Sequence, residues 1–436
     1  MRVELFDSTQ IPRPQDRCVA QALASRDLTP FGDQIEKIQK DKTTKFMDKF
    51  VIGFNHDNLL STADGIIISI SGVSMLAAKA IEDSPLFNGQ ESSTRYLDFS
   101  NQPVISNSTE SHIAVTNSML FFKNLYETEY VYNLEQHGNP TDPVECKAIK
   151  AKTFDIVRAF LPVGLSTNVN WCTNLRQVQD HFYFLATHEL PEIRDISKKI
   201  YALLMERYPE SVFPVDTDRF QHMMKYFDEY QVYAEDPEYN EHTSVYRAVQ
   251  PLKQQIDISY NELDLSNLKR YPSLASRPRG CPLPRIYNSQ MTVAGLIDFG
   301  SFRDIQRHRN NLCKIPRLTP FDGFEQWYLD NLSPAGRVLA QAEVEKCQEI
   351  YKDTQDVYTV LMGFRVPFLL QLSLEQMVYI TELRCAKSVH PTARSVALAM
   401  ADFLDKKIPD VALYADRSPL DTFYLKRANH DITKVA

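Results

Sequence analysis

The chain has 436 residues, 43% hydrophobic and 24% charged, with a formal net charge of −8. Such a length allows two or three domains, each with its own core, and the acidic balance argues against duplex nucleic acid, whose phosphates need a basic face. No apolar run approaches the about 20 residues that span a bilayer, the N-terminus lacks a signal-peptide apolar region, and seven scattered cysteines without a Cys-x-x-Cys fit free thiols in a reducing cytoplasm, not a disulfide framework or a zinc site.

In chain order, the isoleucine-rich run 65–74 reads as a strand. A segment from 79 to 96 follows, its loop marked by Pro85, Asn88 and Gly89. Helical patterns cover 145–160, 175–185 and 192–207. Residues 216–240 are acidic and tyrosine-rich, helical in their first part, and 270–284, with four prolines, reads as an extended connector. A strand over 291–299 leads into Arg303 to Arg309, and helices cover 335–360, 374–387 and 393–407. A few strands followed by longer helices, twice over, predict an α+β fold with a small, mostly antiparallel sheet flanked by helices in each half.

A register match at an offset of two hundred residues suggests that the halves are tandem copies. Pro191-Glu192-Ile193-Arg194 meets Pro391-Thr392-Ala393-Arg394, and both runs reach a second proline at the same distance, Pro209 and Pro409. Between them Ile193, Ile196, Ile200, Leu203 and Leu204 coincide with Ala393, Val396, Met400, Phe403 and Leu404, one apolar stripe along a helix. The competing explanation is that amphipathic helices resemble one another. The repeat divides the chain into residues 1–212 and 213–436.

Three constellations are able to carry chemistry. Arg307-His308-Arg309 places three donors on consecutive residues; on a helix they diverge by about 100° each and wrap an extended anion or a ring edge. The alternative is a solvated basic helix end. Glu91, Ser93 and Arg95, followed by Tyr96, alternate after Gly89, so an extended loop would aim them together at a phosphate monoester; a capping loop with a surface Glu–Arg pair is the other reading. Arg158-Ala159-Phe160-Leu161-Pro162, then Asn174 and Arg176, offers another anion donor and a helix cap. There is no Gly-x-Ser-x-Gly, Gly-x-Gly-x-x-Gly, Walker A loop or His-Glu-x-x-His, and no histidine pair with metal-ligand spacing; His181 and His188 read as structural.

These fragments resemble the flavin-dependent thymidylate synthases. That family carries Arg-His-Arg and Glu-x-Ser-x-Arg-Tyr in one short stretch, whereas here the first lies at 307–309 and the second at 91–96. The resemblance extends to Arg158–Pro162, Asn174/Arg176, Glu382-Leu383-Arg384 and His390-Pro391. It implies C5 methylation of dUMP, with FAD as cofactor and NADPH and methylenetetrahydrofolate as co-substrates: a cytoplasmic flavoprotein methyltransferase of nucleotide biosynthesis. It also implies that Glu91, Ser93, Arg95, Tyr96 and Arg158 bind a pyrimidine nucleotide monophosphate and that Arg307, His308, Arg309, Asn174 and Arg176 bind the flavin. Arg307, His308 and Arg384 would act on the reacting ring, with no metal. Family sites form between subunits, so a fused pair would build one site from opposite halves, and a homodimer would form a pseudo-tetramer. The chain departs from the pattern in carrying Asp304 where the family has glutamine, and residues 79–85 where the first copy's Arg-His-Arg would stand. A related enzyme acting on another pyrimidine nucleotide, and a non-catalytic nucleotide-binding relative, are the alternatives.

Overall fold

The computed structural model describes residues 1–35, 40–48, 57–84, 86–95, 97, 99, 101–212, 217–230, 256–260, 268, 271–283, 290–308 and 312–419. The first half runs β1 (Arg2–Phe6), α1 (Pro14–Ala24), α2 (Phe31–Ile35), α3 (Lys40–Phe46), β2 (Ile66–Ser74), α4 (Met75–Glu82), β3 (Asn88–Glu91), α5 (Thr109–Gln136), α6 (Pro143–Val157), β4 (Ser166–Thr173), α7 (Leu175–Ala186) and α8 (Pro191–Arg207), and α9 (Asp218–Tyr230), past the expected boundary at 212, packs against α7 through Phe220 on Phe182 and Tyr183. The second runs β5 (Asp257–Tyr260), β6 (Gln290–Asp298), α10 (Phe299–Gln306), β7 (Leu312–Lys314), α11 (Gln326–Asp330), α12 (Pro334–Thr354), β8 (Arg365–Ser373), α13 (Leu374–Arg384) and α14 (Pro391–Lys407).

Each half holds a four-stranded sheet, ordered β1-β2-β4-β3 and β5-β6-β8-β7, and every pairing is antiparallel. The α+β class with small antiparallel sheets and many helices is therefore as the sequence predicts, and the sheet order of the second half repeats that of the first. The continuous isoleucines of β2 follow from burial on both faces: Ile66, Ile68 and Ile70 enter the main core, while Ile67 packs with Ala20, Phe31 and Cys172 beneath α1. All seven cysteines are free, and among the described residues no helix is long and apolar enough to cross a membrane.

Helices α4 and α10, like α13, leave their strands without a linker. The Ser74 hydroxyl accepts from the Ala77 N–H (3.0 Å) to start α4, and the Asp298 carboxylate accepts from the Ser301 N–H (2.8 Å) to start α10. Both helices are eight residues long. Helices α8 and α14 both begin with proline at the first turn, and Ile193, Ile196, Ile200 and Leu204 are buried, as are Ala393, Val396, Met400 and Leu404. The expected helix over 335–360 stops earlier, at Thr354, because Gln355 takes a left-handed conformation (φ 51°), and a tight turn over Val357–Thr359 follows. The expected connector over 270–284 is anchored where it is described: Pro272–Ser276 forms a 3-10 turn, Arg277 is buried against Glu382, and its carbonyl accepts from the Tyr414 hydroxyl at 2.7 Å. Residues 213–216, 231–255, 284–289 and 309–311 lie outside the described residues.

The halves share one core and a main-chain seam. The Val163 N–H donates to the Val360 carbonyl (2.8 Å) and the Met362 N–H to Leu161 (2.9 Å). The Gly164 N–H donates to Tyr358 (3.0 Å) and the Gly363 N–H to Ala159 (2.8 Å). These bonds come in two reciprocal pairs, the pattern of a local two-fold axis between 159–164 and 358–363. The long helices α5 and α12 add a second contact, where the Glu129 carboxylate accepts from the Ser333 N–H (2.9 Å) and hydroxyl (2.6 Å).

Candidate active site at the junction of the halves

The start of α10 is fixed by Asp298, so its far end delivers Arg303, Asp304, Arg307 and His308 across the junction to the first half. Arg303 is buried, pairs with Glu91, and reaches the Met75 sulfur at 3.3 Å. Arg307 donates to the other Glu91 oxygen at 2.5 Å and lies 3.4 Å from Glu82. Glu91 thus spans both arginines from the end of β3. Burial pushes the Glu82 carboxyl up to about 7, against the pull of Arg307 and with the push of Glu91. Burial works to lower the Arg307 guanidinium, but the carboxylates of Glu82, Glu91 and Asp304 hold it above its ordinary range.

A second set of groups gathers around Asp304. Burial tends to raise its carboxyl, but the guanidiniums of Arg384, Arg307, Arg158 and Arg95 override that and bring it down to about 2. Arg384, the last residue of α13, donates from Nη2 to the Asp304 carbonyl at 2.7 Å and from Nε to His308 Nε2 at 2.8 Å. That nitrogen is therefore an acceptor and the imidazole is neutral; burial and the adjacent Arg384 push the His308 pKa well below its ordinary value. Arg95 makes a bidentate pair with the buried Asp155, both bonds 3.1 Å, and donates to the Ser388 carbonyl at 3.0 Å. His390 donates or accepts at Thr392 Oγ1 (2.8 Å) and lies 3.2 Å from the Asp155 carbonyl. Burial, Arg158, Arg95 and Lys152 keep it neutral.

Arg158 completes the group. It is 2% exposed, and its Nε and Nη2 have no hydrogen-bond partner. Asp298 and Asp304 lie within its electrostatic reach, and a Cβ built on Gly300 would stand 3.7 Å from its Nη2. Leaving buried charged donors unmet costs more than an ordinary hydrogen bond gains, so this position calls for an acceptor. Four guanidiniums from α10, α13, the loop after β3 and the turn Arg158–Phe160 form an arrangement suited to an anion with several oxygens.

Arg95, Arg158, Arg307, His308 and Arg384, two hundred residues apart in part, are brought together. The shared aim expected of Glu91, Ser93 and Arg95 is not found, because the chain turns at Thr94 and Arg95. Glu91 faces α10, the Ser93 hydroxyl accepts the Arg95 N–H at 3.3 Å, and Arg95 turns to Asp155. Asn174 caps α7 by accepting from the Gln177 N–H (3.0 Å), and Arg176, with its side chain 85% exposed, pairs with Asp180 one turn on; neither joins the cluster. Tyr96 and Arg309 lie outside the described residues. His181 and His188 are held near 4 by burial, and His181 contacts the Ala80 carbonyl at 2.8 Å, a structural setting. Sequence reasoning missed Asp155, Asp298 and Arg303 as supports. The signal for Asp298 was present, since aspartate is among the favoured residues at the position before a helix's first turn.

The family of the thymidylate synthase complementing protein matches residues 4–210. A UPF0159 protein of Chlamydia muridarum (strain MoPn / Nigg) is 23% identical over 421 residues, covering 83% of this chain and 78% of that protein. A UPF0159 protein of Chlamydia pneumoniae is 22% identical over 458 residues, covering 90% of this chain and 84% of that one. No solved structure matches. The part of the chain that this family's model matches, residues 4–210, supplies Glu91, Arg95 and Arg158.

Proposed function

We propose that the chain is a flavin-dependent thymidylate synthase that methylates dUMP at C5, with methylenetetrahydrofolate and NADPH as co-substrates, in one site built from both halves. The observation that carries this reading is Arg158, a buried guanidinium with two unmet donors that acts on Asp304 together with three further arginines. Arg158 and Arg95 bind the nucleotide phosphate, and Arg384 stabilises negative charge on the pyrimidine oxygens. His308, neutral and held by Arg384, positions that guanidinium.

The donor set also suits a flavin. Tyr379, 54% exposed, stands edge-on to His308 with ring centroids 6.1 Å apart, and Leu383 is exposed one turn further along α13. Together they offer an apolar shelf beside the guanidiniums, fitted to a planar ring carrying anionic groups. When bound, a reduced flavin supplies the hydride. The residues of this chain seat it and hold the pyrimidine against it. No protein nucleophile is required.

The test is direct. Purified protein should absorb as oxidised flavin does and release tritium from C5-labelled dUMP, and Arg95→Ala and Arg307→Ala should each abolish release. A colourless protein that gains no flavin on reconstitution, or full activity in either variant, defeats the reading. Asp304 favours a second one. Its ionised carboxylate, at the glutamine position of the resembled family, suits a pyrimidine that presents an amino group; tritium release from labelled dCMP in preference to dUMP would select it.

A further inference from the structure

The local two-fold axis relates the arginine cluster to a second cleft. Helices α4 and α10 have equal length and the same strand-to-helix start, so their positions correspond. Arg307, the residue capping α10, matches Asp83, which caps α4. Arg303 matches Lys79, and Asp304 matches Ala80. The turn opening with Arg158 matches the turn opening with Val357. Helix α13 ends in Arg384, whereas α7 ends in Leu185 and Ala186. The cleft at the corresponding place is floored by Leu76, Ala80, Leu190, Ile315, Leu318 and Val357.

Its remaining cations are neutralised where they stand. Lys79 Nζ lies 2.8 Å from Asp83, and Arg317 lies 3.8 Å from Glu189 and donates to the Gln355 carbonyl at 3.2 Å. A phosphate placed there would meet two carboxylates and no guanidinium free of a carboxylate. Asp83 has another engagement. Its Oδ1 accepts from Gln306 Nε2 at 2.5 Å, and the same nitrogen donates to the Lys79 carbonyl at 3.2 Å. Gln306 is the residue before Arg307.

We infer that each chain holds one anion site, and that the symmetry-related cleft has lost anion binding and now braces α10 through Asp83, making Asp83 a positioning residue for Arg303 and Arg307. This rests on the arginine cluster being the anion site of the proposed function, but not on the identity of the nucleotide.

Equilibrium dialysis of the full chain against inorganic phosphate, and separately against dUMP, counts the sites. One bound ion per chain, lost in Arg158→Leu, is expected; two per chain, or none, overturns the inference. One phosphate without dUMP binding removes the thymidylate reading and leaves this one standing. Asp83→Ala should weaken phosphate binding about fivefold, the worth of one buried hydrogen bond, and Asp83→Asn, which keeps the acceptor, should restore it. Gln306→Met should weaken binding equally, and the double variant no further. Additive losses in that cycle, or phosphate affinity in Asp83→Ala equal to that of the unaltered chain, would remove the brace.

Discussion

Arg158 and Glu82 are both buried and ionisable, and the structure treats them in opposite ways. Two of the Arg158 nitrogens lack acceptors, so Arg158→Leu should gain or hold thermal stability while losing nucleotide binding by a hundredfold or more, roughly the 3 kcal/mol of a charge-assisted hydrogen bond. Melting and dUMP binding measured on one preparation check both halves of that expectation. Glu82 takes its proton with it. Its folded pKa of about 7 stands above its ordinary 4.5, so the folded state holds that proton more tightly than the unfolded chain. Its contribution is complete below pH 4.5 and is lost as pH rises through about 7. Glu82→Gln cannot ionise, so it should gain stability relative to the parent chain across that window, by on the order of 3 kcal/mol. Denaturant midpoints at a series of pH values read this out, and a difference that stays constant with pH would mean Glu82 is ionised throughout, paired with Arg307.

At the level of elements, the seam is where substitution has least room. A Cβ on Gly164 would lie 2.4 Å from the Ile105 carbonyl and 2.8 Å from that of Tyr358, both main chain. On Gly363 it would meet Phe324 at 2.3 Å and the Ala159 Cβ at 2.8 Å. Gly164→Ala should therefore cost at least about 2 kcal/mol, and Gly363→Ala less, because the Phe324 ring is able to shift; chemical denaturation ranks the two. The elements themselves were legible where periodicity was long. Helices α8 and α14 were read to within two residues from their stripes and prolines. Helix α4 was not, because the isoleucines of β2 run straight into Met75-Leu76-Ala77-Ala78, and only Ser74 marks the boundary. Helix α5, the longest, was missed because its buried positions are few and partly polar, Ser111, Ser118, Glu129 and Asn133 among them, answering to α12 and α6 and not to a simple apolar face. Strands β3 and β7, of four and three residues, gave no pattern to read. The residues of the site were visible as fragments. Their convergence was visible only through the resemblance, since nothing local to Arg95 announces Arg384.

For the whole molecule, one core and a reciprocal main-chain seam predict a single cooperative transition. Two separable transitions in a thermal scan, one per half, would show that the seam is weak. Outward-facing Ile113, Leu120 and Val131 on α5, and Val338 and Leu339 on α12, leave an apolar band on the paired long helices. We expect two chains to bury it against each other, and sedimentation should report a dimer that Leu120→Lys together with Val338→Lys splits.

Hydrogen bonds between peptide groups make no demand on side-chain identity beyond the smallness of Gly164 and Gly363. That part of the grip is therefore indifferent to the side chains lining either pocket. The side chains of the cluster add a second tie across the same junction, through Glu91 with Arg303 and Arg307 and through Arg95 with the Ser388 carbonyl, so a change at the cluster is felt in the grip between the lobes while the peptide bonds of the seam persist.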